Sequence, residues 1–203
     1  MLTYIISLLD PMVIIQTLGL AGVFFIVFAE SGLFFGFFLP GDSLLFTAGF
    51  LASQGYINVN ILVWGAFLCA VLGDSFGYYF GQRIGPKIFT REDSLLFKKS
   101  YVKKAQDFYE KHGNKTIVLA RFVPIVRTFA PIVAGVGEMK YSNFLTYNVL
   151  GAFLWSFATV YLGNFLGSII PNADRYLLLI IIVIIFVSFI PIVWEIVKNK
   201  SKE

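Results

Sequence analysis

Five ionisable side chains stand inside apolar runs. Arg121 and Arg127 lie in RFVPIVRTFAPIVAG, residues 121–135, among Phe, Val, Ile, Thr and Ala. Glu30 interrupts the apolar run 12–35, Asp42 follows Pro40 and Gly41 in GFFLPGDS, and Asp74 lies in LGDSFGYYFGQRIG. An arginine at bilayer depth costs about 2.5–3.5 kcal/mol on insertion scales, so such residues normally face a protein interior or a wet cavity. Two guanidiniums this close read as a fork for an anion, most readily a phosphate, held by charge-assisted hydrogen bonds. Glu30 and Asp42 would neutralise the arginines when the anion is absent and exchange protons in a cycle. Asp74 is a candidate to join or cap the same network. A permanent ion-pair network that fixes the chain is the alternative, and the two readings are compatible.

Composition decides what kind of molecule carries these groups. The chain has 203 residues, 58% hydrophobic and 14% charged, whereas a soluble domain is nearer 45–50% apolar and about 25% charged. An all-α polytopic membrane protein is expected, and the 23 phenylalanines suit lipid contact. An enzyme is not expected. The single histidine, His112, sits in a polar loop, no nucleophile has an evident base, and no Asp-x-x-Asp cluster offers metal ligands. Catalytic residues, metal and cofactors are accordingly none. The basic residues are confined to particular loops, which argues against nucleic acid as a partner. Cys69 is alone, so no internal disulfide is expected. The start, MLTYIISLLDPM, lacks a basic region and a small-residue cleavage site, so it reads as a retained segment.

The elements that must position the charges follow from length. Residues 44–52 are about half the ~20 residues needed to cross a bilayer. Residues 61–81, 141–169 and 176–197 are long enough to span. Residues 12–35 serve equally as a full crossing or as the first arm of an outer hairpin. Between the spans, 83–115 is a polar loop with an amphipathic helix expected at Leu95–Lys111. No Lys or Arg precedes Arg83, nine of the sixteen basic residues lie in 83–115, and Lys198, Lys200 and Lys202 lie in the tail. The positive-inside rule makes both regions cytoplasmic. Three apolar segments separate them, yet two points on one side are joined by an even number of crossings. One segment therefore does not cross, and 116–137, with its prolines and arginines, is the candidate for a re-entrant hairpin. Pro40, Gly41, Pro124 and Pro131 are the expected hairpin breakers.

An 86-residue shift supports this organisation. It lays Gly65-Ala66-Phe67-Leu68 on Gly151-Ala152-Phe153-Leu154, Gly77 and Gly81 on Gly163 and Gly167, Val63 on Val149, and Ala48-Gly49 on Ala134-Gly135. With the charge topology, the copies run in opposite directions, as in transporters with inverted repeats. The expected architecture is one domain, 1–203. Repeat 1 covers about 12–82, the loop 83–115, repeat 2 about 116–170, and a last spanning helix 176–197. Two opposed re-entrant hairpins bring Glu30, Asp42, Arg121 and Arg127 together near the midplane. The glycine faces at 77/81/85 and 163/167 read as packing surfaces within the monomer, with a homodimer as their alternative use. Asn143 and Asn148 are possible polar helix contacts.

These residues resemble the DedA family, whose VTT domain is shared with eukaryotic lipid scramblases. The resemblance rests on Glu30 with Pro40-Gly41-Asp42, on Gly73-Asp74 with Gly77-Tyr78, and above all on RFVPIVRTFAPIVAG with Tyr147-Asn148-Val149-Leu150-Gly151-Ala152. It covers nearly the whole chain. By this resemblance Glu30, Asp42, Arg121 and Arg127 match essential membrane-embedded acidic and basic residues. The family is implicated in returning undecaprenyl phosphate across the bacterial cytoplasmic membrane with dependence on the proton-motive force, and other members in moving glycerophospholipids. The implied partners are undecaprenyl phosphate or phospholipid, and protons. A non-selective glycerophospholipid scramblase, a proton-coupled ion antiporter and an envelope-assembly scaffold are the other readings.

Overall fold

Hydrocarbon offers a backbone no hydrogen-bond partner, so apolar segments at membrane depth must close their own bonds, which a helix does. The computed structural model describes residues 11–88, 109, 113 and 115–169. Among them every regular element is helical: α1 (Pro11–Gly32), a 3-10 turn (Gly36–Phe38), α2 (Gly41–Ser53), α3 (Val59–Ile88), α4 (Thr116–Ala120), α5 (Pro124–Val136) and α6 (Tyr141–Ile169). Apart from Tyr109, the expected amphipathic helix at 95–111 lies outside the described residues, as do the spanning helix at 176–197 and His112.

Among the described residues three helices are long and apolar enough to cross a membrane: Val13–Gly32, Val59–Ile84 and Tyr141–Ile169. The others are not. The 13 residues of α2 and of α5 rise only about 20 Å at 1.5 Å per residue, against a hydrocarbon core of about 30 Å. α1 is not one straight rod. Gly19 has φ 59° and ψ −152°, a region of backbone space open essentially to glycine alone.

Large apolar side chains lie on the outside as well as in the core, and several charged and polar ones lie inside. Phe25, Phe35 and Phe38 are each about two-thirds exposed, and Leu68, Leu72, Leu150, Leu154 and Phe165 also face outward. Glu30, Asp74, Arg121, Arg127, Thr128 and Asn148 are buried. Lipid as the outer solvent accounts for both halves of that pattern.

The packing crosses over between the two halves of the chain. α2 makes its most extensive contact with α6, and α5 with α3. Each contact is built on bare glycines. A Cβ on Gly49 would strike the Val160 carbonyl, and one on Gly163 the Phe46 carbonyl. In the other pair, a Cβ on Gly135 would strike the Tyr78 carbonyl, and one on Gly81 the Ile132 carbonyl. Gly49 and Gly135, like Gly77 and Gly163, are 86 residues apart. These small faces let helix backbones approach closely.

The arginine segment breaks at one proline, not two. Val123 is extended, with φ −114° and ψ 108°, as the residue before a proline tends to be. Pro124 then opens α5 from its first turn, where its missing N–H costs nothing. Pro131, expected to break the hairpin, lies inside α5. It forfeits one backbone bond, and its side chain seats against α3 where a Cβ on Gly77 would stand 3.5 Å from it. Pro131 is a packing residue. On the first side the break spans 33–40, and α2 begins at Gly41 directly after Pro40.

Candidate functional site

The site is built from the ends of short helices and the middles of long ones. Glu30 lies near the C-terminal end of α1, and Asp42 in the first turn of α2. The chain between them folds tightly enough that a Cβ on Gly41 would overlap Glu30 Oε2. A side chain there would push the Glu30 carboxylate out of its present position. Arg121 follows α4 and Arg127 lies one turn into α5. α3 contributes Asp74. On α6, Asn148, Gly151 and Trp155 are spaced three and four apart and share a face.

Two ion-pair clusters result. In the first, Arg127 donates from Nη2 to Glu30 Oε1 and from Nη1 to Asp42 Oδ1 at 2.6 Å. The Trp155 indole N–H donates to the same Asp42 oxygen at 2.9 Å. In the second, Arg121 Nη2 donates to Asp74 Oδ2 and to Asn148 Oδ1 at 2.8 Å. Asn148 Nδ2 donates in turn to the Val71 carbonyl at 3.1 Å. Gly151 packs close beside this segment: a Cβ there would stand 3.3 Å from Val118 Cα and in ordinary contact with Arg121 Nε. Both guanidiniums lie over the Trp155 ring, 5.0 Å from its centroid for Arg127 and 5.9 Å for Arg121, within cation–π range.

The clusters differ in how completely they are filled. Arg121 is tied to two long helices, through Asp74 and Asn148. In the Arg127 cluster, Nε of the arginine and Oε2 of Glu30 have no hydrogen-bond partner, and neither has the hydroxyl of the fully buried Thr128, the next residue in sequence. The Asp42 side chain is 29% exposed, against 7% for Glu30 and for Asp74. The Arg127 cluster therefore has an open side, a spare donor in Nε and a spare acceptor in Glu30 Oε2. Counted as ionised, the site holds three carboxylates against two guanidiniums.

An apolar groove of about 470 Å³ opens beside the first cluster, lined by Leu33, Phe34, Phe35, Leu39, Phe76 and Phe80. It meets the cluster at the turn after α1, where a Cβ on Gly36 would lie 2.6 Å from Glu30 Cα. Phe34 meets Phe129 edge to face, with centroids 5.3 Å apart, and Phe129 follows Thr128 in sequence.

All five charged residues singled out from sequence are in the site, but not in one network. Arg121 was expected beside Glu30 and Asp42 and instead pairs with Asp74. Asn148 is a direct partner of Arg121, whereas Asn143 is exposed. Trp155 and Thr128 were not anticipated. Nor was Tyr109, whose buried hydroxyl donates to the Ala130 carbonyl of α5 at 2.9 Å. Burial pushes that hydroxyl above its ordinary pKa, so it remains a donor through the physiological range.

Comparison with known proteins adds descent to this geometry. The family model for the VTT domain matches residues 39–165. The protein DedA of Escherichia coli (strain K12) is 50% identical over 180 residues, covering 88% of this chain and 82% of that one. An uncharacterized membrane protein of Mycobacterium tuberculosis (strain ATCC 25618 / H37Rv) is 45% identical over 193 residues, covering 91% and 84%. Another from Synechocystis sp. is 34% identical over 153 residues, covering 75% and 69%. No solved structure matches.

Proposed function

The chain belongs to the DedA family of VTT-domain membrane proteins, and on that premise we propose that it carries a phosphate-headed lipid, undecaprenyl phosphate first among them, across the bacterial cytoplasmic membrane with proton coupling. The observation that carries the reading is the Arg127 cluster. A buried guanidinium held by two carboxylates, with its Nε unfilled and a bare Glu30 Oε2 that protonation would turn into a donor, is a site with donors to offer an anion's oxygens. Unfilled buried donors cost about 1–3 kcal/mol each, which a phosphate would offset.

Charge supplies the coupling. With Glu30, Asp42 and Asp74 ionised against Arg121 and Arg127, the site is negative by one and repels a phosphate. Protonation of Glu30 and Asp42 turns it positive by one, the balance a phosphate monoester monoanion needs. Proton uptake is then a condition of loading, and proton release accompanies unloading. The head group would rest on Arg127, with Arg121 held beside it by Asp74 and Asn148. The hydrocarbon tail would lie in the phenylalanine groove, which stays in lipid.

Topology is part of the same proposal. α2 and the α4–α5 pair, too short to span, would enter from opposite faces as re-entrant hairpins, with the basic stretch 83–115 and the C-terminus cytoplasmic. The glycine contacts repeated at an 86-residue interval support an inverted repeat. The test is translocation of undecaprenyl phosphate into proteoliposomes, with and without a pH gradient, for the wild type and Arg127→Ala. Gradient-dependent transport lost in the variant is expected. Transport of any phospholipid regardless of gradient, or transport unchanged in Arg127→Ala, would overturn the reading.

A further inference from the structure

Trp155 stands between the two clusters and holds both. It is 5% exposed, in the middle of α6. Its single N–H goes to Asp42 Oδ1, the oxygen that also receives Arg127 Nη1. Its ring face carries Arg127 and Arg121, with guanidinium carbons 5.0 and 5.9 Å from the centroid. It thereby touches both arginines and one of their carboxylates. Asp42 is also the most exposed of the three paired carboxylates, hence the one an entering anion meets first. An indole has one donor and no acceptor. If Asp42 gives way, that buried N–H must find another oxygen or stay unsatisfied.

We propose that Trp155 is a ligand of the anionic head group, with Asp42 occupying its N–H until the anion arrives. The proposal rests on the phosphate-lipid reading above and deepens it. When the anion displaces Asp42 from Arg127, the indole N–H passes from the carboxylate oxygen to a phosphate oxygen. The ring meanwhile keeps Arg121 and Arg127 turned toward one guest, offsetting their mutual repulsion. Glu30 from α1 and Asp74 from α3 remain on the far ends of the two guanidiniums. Phenylalanine would keep the face and lose the N–H, and leucine would lose both.

The experiment uses purified full-length protein in detergent and short-chain phosphatidic acid as the probe, with phosphatidylcholine as control. Affinity is measured by calorimetry. Trp155→Phe is expected to bind phosphatidic acid about tenfold more weakly, equivalent to about 1.4 kcal/mol, and Trp155→Leu more weakly again. The chain has three tryptophans, Trp64, Trp155 and Trp194. With Trp64→Phe and Trp194→Phe, the emission of Trp155 should shift saturably with phosphatidic acid and not with phosphatidylcholine. If the wild type binds and Trp155→Phe binds equally well, the Trp155 assignment fails and the phosphate-lipid reading stands. Silent Trp155 emission during proven binding has the same meaning. If the wild type binds no phosphatidic acid, the phosphate-lipid reading fails and takes this inference with it. Should Trp155→Leu not fold, Trp155→Phe and the emission titration still decide.

Discussion

Removing one partner of a buried ion pair does more damage than removing both, and Arg121 with Asp74 is a direct case. Their side chains are 5% and 7% exposed. Arg121→Met leaves the Asp74 carboxylate buried without a cation, at a cost of about 3–5 kcal/mol. It also strands Asn148 Oδ1, which accepts from Arg121, for about 1–3 kcal/mol more. Combining Arg121→Met with Asp74→Leu removes the first loss and leaves the second. The double variant should therefore be the more stable by about 3–5 kcal/mol, although it carries the extra substitution. For a chain of this size that corresponds to roughly 6–20 °C in melting temperature. The assay is thermal unfolding in detergent, followed by the helical circular dichroism band, with transport measured on the same preparations. Transport should stay lost in the double variant, because stability returns without the guanidinium. A double variant that melts at or below the single one would refute the reasoning from buried charge.

Other outcomes follow from the same geometry. Gly41→Ala places a methyl group on Glu30 Oε2 and should cut transport at least tenfold while the helical spectrum is retained; normal transport would mean Glu30 need not hold Arg127. Gly49→Leu and Gly135→Leu force side chains into backbone contacts, and each should lower stability by about 1–3 kcal/mol or more in the same melting assay. Tyr109→Phe loses the bond to Ala130, and a drop of about 1 kcal/mol is expected. Phe76→Ala with Phe80→Ala opens the apolar groove; transport of undecaprenyl phosphate should fall while calorimetric affinity for short-chain phosphatidic acid holds, and an equal loss of both would remove the groove from the tail's path.

The charged residues were legible because apolar neighbours made each one conspicuous. Their pairing was not. Arg121 and Arg127 are separated by a backbone break at 121–123, and no periodicity crosses a break, so nothing in the sequence told which carboxylate each would meet. Asp74 belonged to a spanning helix, and its facing direction depended on where α4 docks against α6. Trp155 escaped because a tryptophan in an apolar helix ordinarily reads as a packing or lipid-facing residue. Its spacing from Asn148 and Gly151 was the available signal. Thr128 carried a different one, since it lies 86 residues after Asp42. Pro131 shows the limit of local rules, because a proline that would kink a lone helix is tolerated where a glycine of the neighbouring helix receives it.

The crossed packing of α2 on α6 and α5 on α3 also has a consequence for biogenesis. α2 leaves the ribosome on the order of 100 residues before the helix it packs against most, a wait of roughly 5–20 s at bacterial rates of synthesis. Throughout that interval a segment too short to span must stay at the membrane with Asp42 lacking both Arg127 and Trp155. Neither half of the chain can complete its own interior, so a fragment ending in the loop 83–115 should be a substrate for quality-control proteolysis. The same fragment co-expressed with the remainder should be rescued, because each half supplies the surface the other is missing.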